Sequence, residues 1–186
     1  MMPVVVKPAH EGSSLGVSVV QSELELAQAC YEASRCGGYD YQDVLIEEYI
    51  QGFEFCTVFL ESVTEHEDGI TTSTWKPLSI TEVVHESESY FFDYTQKYMP
   101  GRAHRITPAR CDSATAEKIY AVCQRIIKLI EFRSVARFDG FVTQDGRVVI
   151  IDSNPISGMG PSFFLFHQAA EVGMSHGEFI NLLIVS

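Results

Sequence analysis

The sequence predicts an α+β fold, and three observations carry that prediction. Short apolar strands bounded by Gly and Pro turns fill the first half of the chain. A single long amphipathic helix follows over 113–132. A β-hairpin and two short helices then close the sequence. The expected order is β-β-α-β-β, further strands, a long helix, a hairpin and two helices, with no internal repeat and no low-complexity tract.

Residues 3–8 (PVVVKP) already read as a strand, ended by Lys7, a residue seldom buried without a partner. The turn 9–16 (AHEGSSLG) leads into a second strand over 17–20, giving a hairpin whose N–H and hydroxyl donors suit a phosphate chain or simply make a polar turn. Ser22 and Glu25 form a capping-box pattern opening a helix. Its expected apolar faces are Leu24, Ala27 and Tyr31, or Leu26, Cys30 and Ala33, and Gly37-Gly38 end it. A strand over 44–50 stops at Gly52 and resumes over 53–60, interrupted by Glu54. Glu47 and Glu48 beside Tyr49-Ile50 suit either a hinge that reads an adenine edge or an edge strand with solvated acids.

Residues 61–68 are acidic and read as a surface loop, and 75–84 as another strand carrying Pro77. The aromatic-rich stretch 86–101, with Lys97 and Tyr98, has no clear period; it is either a lid over a pocket or a satellite hydrophobic cluster. In the long helix, Ile119, Val122, Cys123, Ile126 and Ile130 form a stripe fit to pack on a sheet. Residues 163–171 read as a short helix, and Ser175 with Glu178 caps a last one through residue 184.

The hairpin over 136–151 concentrates the chemistry. Asp145-Gly146 makes its turn, Asp139 sits on the first arm, and Asp152 and Asn154 follow the second. Residues two apart in extended chain share a face, so Asp152 and Asn154 point together, with Asp139 able to join them across the pair. Hard oxygen donors so clustered suit Mg²⁺, although acids at strand ends are also common solvated caps. Arg137 adds a fixed positive charge to that face, and the SGMG that follows offers backbone N–H groups.

Composition narrows the classes. With 186 residues the chain can bury a core as one domain or two small lobes, and no apolar run reaches a membrane span. The N-terminus lacks the pattern of a signal peptide. A net charge of −12 argues against a nucleic-acid backbone or an anionic membrane as partner, though not against a nucleotide neutralised locally by metal and a few cations. The five scattered cysteines, without C-x-x-C spacing, read as reduced thiols of a cytoplasmic protein.

Five segments in unbroken order resemble the D-alanine–D-alanine ligases of the ATP-grasp superfamily. VVVKPAHEGSSLGVSVV is similar to that family's strand with its phosphate flap, VLIEEYIQGFEF to its hinge strand and FFDYTQKY to its omega loop. ARFDGFV with IIDSNPISGMGPS resembles its magnesium and oxyanion segment, and GMSHGEFINLLI its C-terminal helix. The resemblance implies a partial ATP-grasp fold: 1–51 as part of the central subdomain, with flap and hinge strand, and 52–186 as the C-terminal domain, with lid loop and metal site.

The resemblance also implies roles. Lys7 would contact ATP phosphate, and Ser13-Ser14 would lie over the phosphates and substrate. Glu47, Tyr49 and Ile50 would meet the adenine and Glu54 the ribose. Lys97 would reach the γ-phosphate, and Tyr98 would order the lid through Ser13. Asp139, Asp152 and Asn154 would hold Mg²⁺ (or Mn²⁺), while Arg137 and the N–H of Gly158 would form an oxyanion hole. The implied reaction is an ATP-dependent carboxylate–amine ligation through an acyl phosphate, giving a peptidoglycan precursor dipeptide. Amino acids would be the substrates, and an N-terminal domain of the same enzyme the partner, with a homo-oligomer possible; this chain alone is expected to bind ATP and Mg²⁺ without ligating. Two departures stand out: Asp152-x-Asn154 replaces the family's Glu-x-Asn, and Phe163-Phe164 stand where Ser-Leu is expected. The second favours a ligase for another amino-acid acceptor, and the absent N-terminal domain a non-catalytic nucleotide-binding remnant.

Overall fold

A computed structural model describes residues 2–85, 103–160 and 163–185. The chain divides into two compact units. One contains Met1–Ile50 and Val84–His104, the other Gln51–Val83 and Arg105–Ser186.

In the first unit β1 (Val4–Pro8), β2 (Ser18–Val20) and β3 (Val44–Glu48) form an antiparallel sheet of order β2-β1-β3. Alternation along β1 sends Val4 and Val6 to one face and Val5 and Lys7 to the other. Helix α1 (Glu23–Ser34) covers the first face, where Val6, Val20, Ala29 and Ala33 form a small core. Of the two faces the sequence offers, the one with Leu26, Cys30 and Ala33 packs on the sheet. Ala29 and Ala33, one turn apart, let the helix approach closely, whereas Leu24 and Tyr31 are exposed. The capping box is half formed: Ser22 makes no side-chain cap, but the Glu25 carboxylate accepts from the N–H of Gln21 at 3.0 Å.

The second unit is built on a sheet of order β6-β5-β4-β7-β8, from β4 (Gly52–Glu65), β5 (Thr71–His85), β6 (Ala103–Ile106), β7 (Val135–Thr143) and β8 (Val148–Asn154). Helix α2 (Ser113–Ile130) covers one face, packing Ile119, Cys123 and Ile127 on Phe55, Phe59, Ala136, Phe138 and Val142. Helices α3 (Phe164–Glu171) and α4 (His176–Val185) cover the other, with Leu165, Phe166, Ala169 and Phe179 against Val58, Leu60, Leu78 and Val135. Asp112 caps α2 by accepting from the N–H of Thr115 at 2.7 Å. The buried stripe of α2 runs through Ile127 and leaves Ile130 exposed, because the helix ends there in a left-handed Glu131. At α4 the Ser175–Glu178 capping box is complete in both directions.

The expected loop over 61–68 is largely strand. β4 continues through Glu65, and Glu61 is buried at 3% exposure. Its carboxylate accepts from the N–H of Ser134 at 2.7 Å and from Ser73 Oγ, which explains how an acid can occupy that position.

Candidate functional site

Strand β7 alternates cleanly: Ala136, Phe138 and Val142 face α2, whereas Arg137 and Asp139 face the α3 side. A regular hairpin closed by the turn after Thr143 would then send Asp152 to the α2 face, since Val148 pairs Val142 and Ile150 pairs Gly140. The register shifts between Asp139 and Gly140 instead, leaving Ile151 as the extra residue of a β-bulge. Beyond it Asp152 lies opposite Asp139, and Asn154 opposite Arg137. A shift of one residue exchanges the faces of everything that follows. The bulge is therefore what brings Arg137, Asp139, Asp152 and Asn154 onto one face.

Carboxylates directly opposed on paired strands repel, so a positive charge is needed among them. Arg137 supplies one. Its Nε and Nη2 donate to Asp139 Oδ2 at 3.0 and 2.8 Å, and Nη2 lies 3.9 Å from Asp152 Oδ2. The guanidinium side chain is 17% exposed and that of Asp152 56%, so the cluster opens to solvent at Asp152. Burial alone would lower the Arg137 pKa, but the charge and hydrogen bonding of Asp139, with Asp152 beside it, outweigh burial and hold the pKa above its ordinary value. Cys56, paired with Asp139 across β4 and β7, is fully buried; desolvation and then the Asp139 charge push its pKa well up, so it stays a neutral thiol.

The Asn154 amide turns its nitrogen inward: Nδ2 is buried without a hydrogen-bond partner. Among the described residues no group of three or more His, Cys, Asp or Glu could hold a metal, so a cation here would rest on two carboxylates and this amide. Gly158 follows in the loop after β8. A Cβ there would lie 2.5 Å from the Phe163 ring, so only glycine admits that ring against the backbone.

In the first unit, the open face of β1 and β3 carries Lys7 and Glu47, diagonal neighbours whose Nζ and Oε2 meet at 2.7 Å. The flap turn is left-handed: Ser13 and Ser14 have φ of 55° and 62°, closed by Leu15 N–H donating to Gly12 O at 3.0 Å. Two successive non-glycine residues in that region carry strain, with Ser13 exposed and Ser14 half-buried. Gln42, buried at 3% exposure, fixes the base of the flap: its Oε1 accepts from the His10 N–H and its Nε2 donates to Cys36 O, both at 2.9 Å. The strand ends at Glu48, leaving Tyr49 and Ile50 half-buried beyond it. Glu54 lies on β4, opposite Phe141 of β7. Lys97 and Tyr98, with the whole expected lid, lie outside the described residues.

Sequence reading missed Gln42, Gln168 and Glu61. Each is a buried polar residue satisfying backbone groups, and none carries a local pattern that announces this.

The sequence model of a family described as "D-ala D-ala ligase C-terminus" matches residues 1–185. This chain belongs to that family. Among the family's proteins, the D-alanine--D-alanine ligase of Anaeromyxobacter sp. (strain Fw109-5) is 32% identical over 183 residues, covering 98% of this chain and 53% of that protein. The crystal structure of VanG D-Ala:D-Ser ligase from Enterococcus faecalis superposes with a TM-score of 0.79 at 28% identity, over 100% of this chain and 49% of that one. D-alanine--D-alanine ligase from Bacillus anthracis gives 0.77 at 25% identity, over 99% and 54%. The chain thus spans about half the length of the curated relatives it matches. The expected partial ATP-grasp fold is the fold of these ligases. Among the described residues, no helix is long and apolar enough to cross a membrane.

Proposed function

We propose that this chain is the ATP- and Mg²⁺-binding portion of a D-alanine–D-alanine ligase-type enzyme, joining the carboxylate of one amino acid to the amine of another. The observation that carries the reading is the bulged register of β7 and β8, which sets Asp139 against Asp152 and Arg137 against Asn154. Opposed carboxylates with a buried amide beside them suit a hard cation such as Mg²⁺ or Mn²⁺, and one cationic side chain leaves net negative charge for it to neutralise. Asp139, Asp152 and Asn154 would hold such a cation, which would supply charge neutralisation for phosphate there.

In the proposed reaction the first carboxylate attacks the γ-phosphate of ATP, ADP departs, and the resulting acyl phosphate is attacked by the second amine with loss of phosphate. The protein's share is positioning and electrostatics. Arg137, held charged and clamped on Asp139, presents its remaining N–H donors to the oxygen on which negative charge develops, together with the Gly158 N–H. Lys7 would exchange its Glu47 partner for phosphate, freeing Glu47 for the adenine amino group, with Tyr49 and Ile50 against the ring and Glu54 at the ribose. Ser13 and Ser14, already in a strained turn, would cover the phosphates.

A second reading differs in the acceptor. The Phe163 ring packs against Gly158 and Gly160, so an aromatic surface borders the oxyanion segment and favours an acceptor other than D-alanine. We place the enzyme in the cytoplasm, where ATP is available, with an N-terminal domain completing its substrate site. Calorimetric titration with ATP tests the nucleotide site: binding is expected with Mg²⁺ and not with EDTA. Binding indifferent to the metal would refute it.

A further inference from the structure

We propose that Ser157 is a positioning residue for the metal site, its hydroxyl accepting a hydrogen bond from Nδ2 of Asn154 when the amide oxygen engages a divalent cation. This rests on the reading of Asn154 as a cation ligand. Among the described residues, the buried side-chain polar atoms without a hydrogen-bond partner are Asn154 Nδ2 and Ser157 Oγ. Buried polar atoms are nearly always partnered, so two orphans three residues apart, one at the end of β8 and one just beyond it, need an explanation.

Their chemistry is complementary. An amide nitrogen only donates, and a hydroxyl oxygen has lone pairs to accept. Ser157 is 5% exposed, so solvent does not serve its hydroxyl, and it lies three positions beyond Asn154, at the end of the bend formed by Pro155 and Ile156. The terminal torsion of an asparagine is broad, so a modest rotation of the amide costs little. An amide offers one oxygen and one nitrogen. With Nδ2 turned inward and held, Oδ1 is fixed as the end presented to a cation; with Nδ2 unheld, the amide is free to present either end. Partners of metal ligands orient them in this way, and their loss lowers metal affinity about 10- to 100-fold. Ser157 adjoins Gly158, so the same contact would also set the start of the loop that carries the Gly158 N–H.

The probe is Mn²⁺ alone, titrated into the full 186-residue chain and followed by the electron paramagnetic resonance of the free ion. Ser157→Ala is expected to weaken Mn²⁺ binding about 10- to 100-fold. Ser157→Thr, which keeps the hydroxyl, should stay within about threefold of wild type, and supplies the comparison if the alanine variant proves poorly folded by circular dichroism. The decisive arm is a double-mutant cycle with Asn154→Asp, which removes the nitrogen donor: Ser157→Ala should then add less than about twofold. Asp139→Asn with Asp152→Asn separates the two levels of the argument. If the wild type does not bind Mn²⁺, or if that pair of substitutions leaves binding unchanged, the metal site itself is wrong and this proposal falls with it. If the pair abolishes binding but Ser157→Ala binds like wild type, or costs as much beside Asn154→Asp as alone, the metal site stands and the role of Ser157 is refuted.

Discussion

Gln168→Leu should destabilise the second unit far more than its similar volume suggests. Gln168 is fully buried on α3, facing the place where the β4–β5 register shifts between Thr57 and Phe59. Its Oε1 accepts from the Val58 N–H at 2.9 Å, and its Nε2 donates to Cys56 O at 3.0 Å and to Thr81 Oγ1 at 2.9 Å. The glutamine thus replaces ladder bonds that the irregularity removes. Leucine would fill the space and strand the Val58 donor, at a cost of about 1–3 kcal/mol for a buried unpaired group. Cys56 O, a two-lone-pair acceptor, loses one donor and adds a smaller cost. Thr81 retains its hydroxyl contact with Thr107, so little is added there. The total comes to about 2–4 kcal/mol, a large part of the roughly 5–15 kcal/mol typical of a domain. The chain's single tryptophan, Trp75, packs beside the α2 core of this unit, so its fluorescence during urea unfolding reports the right transition. The midpoint should fall with little change in slope. A loss under about 1 kcal/mol would show that the three bonds contribute no net stability and that the backbone finds other partners.

Two further outcomes follow from charge and burial. The Arg110 side chain forks onto Glu82 with contacts of 2.8 and 2.7 Å, and that hydrogen bonding holds the Glu82 pKa below its ordinary 4.5. A depressed folded-state pKa means stabilisation that is full above the unfolded value and lost as pH falls through the folded one, so wild type and Arg110→Met should differ in stability at neutral pH and draw together as the pH falls below 4.5 and through the lowered folded value; a gap that does not narrow with acidification contradicts the assignment. Burial pushes the Cys123 thiol up to about 12 and Cys56 well above its usual range, so iodoacetamide at pH 8 should spare both until the chain is unfolded; ready labelling of either in the folded protein, located by peptide mass, would contradict their burial.

The parts of this molecule that were legible in sequence are those where local pattern and final structure agree. The alternation of β7, the Asp-Gly turn and the α2 stripe each state their own geometry, and Asp152 and Asn154 two apart state a shared face. What could not be read is the bulge at Ile151. Nothing in VVIIDSN marks which residue will be unpaired, yet that residue decides whether Asp152 and Asn154 meet Asp139 and Arg137 or face α2. Glu61 looked like the start of a polar loop because its partner, the N–H of Ser134, lies 73 positions away. Gln168 reads as an ordinary helix residue, and only the irregularity in β4 gives its amide three partners. In α1 the pattern offered two faces and could not choose between them: Leu26, Cys30 and Ala33 pack on the sheet with Ala29, while Leu24 and Tyr31 remain in solvent.

The most direct test of the central claim is calorimetric titration of Mg-ATP into the wild-type chain and into Asp139→Asn with Asp152→Asn. The double variant removes the paired charge created by the bulge and retains side-chain volume. Neutralising both carboxylates relieves their mutual repulsion but leaves the 17%-exposed Arg137 guanidinium without an ionic partner, so the thermal transition is expected to fall, and circular dichroism checks that the double variant is folded at the titration temperature. Binding in the presence of Mg²⁺ should fall by at least about 100-fold, equivalent to roughly 2.7 kcal/mol. A double variant that folds and binds Mg-ATP with wild-type affinity would contradict the assignment of this cluster as the metal–nucleotide site.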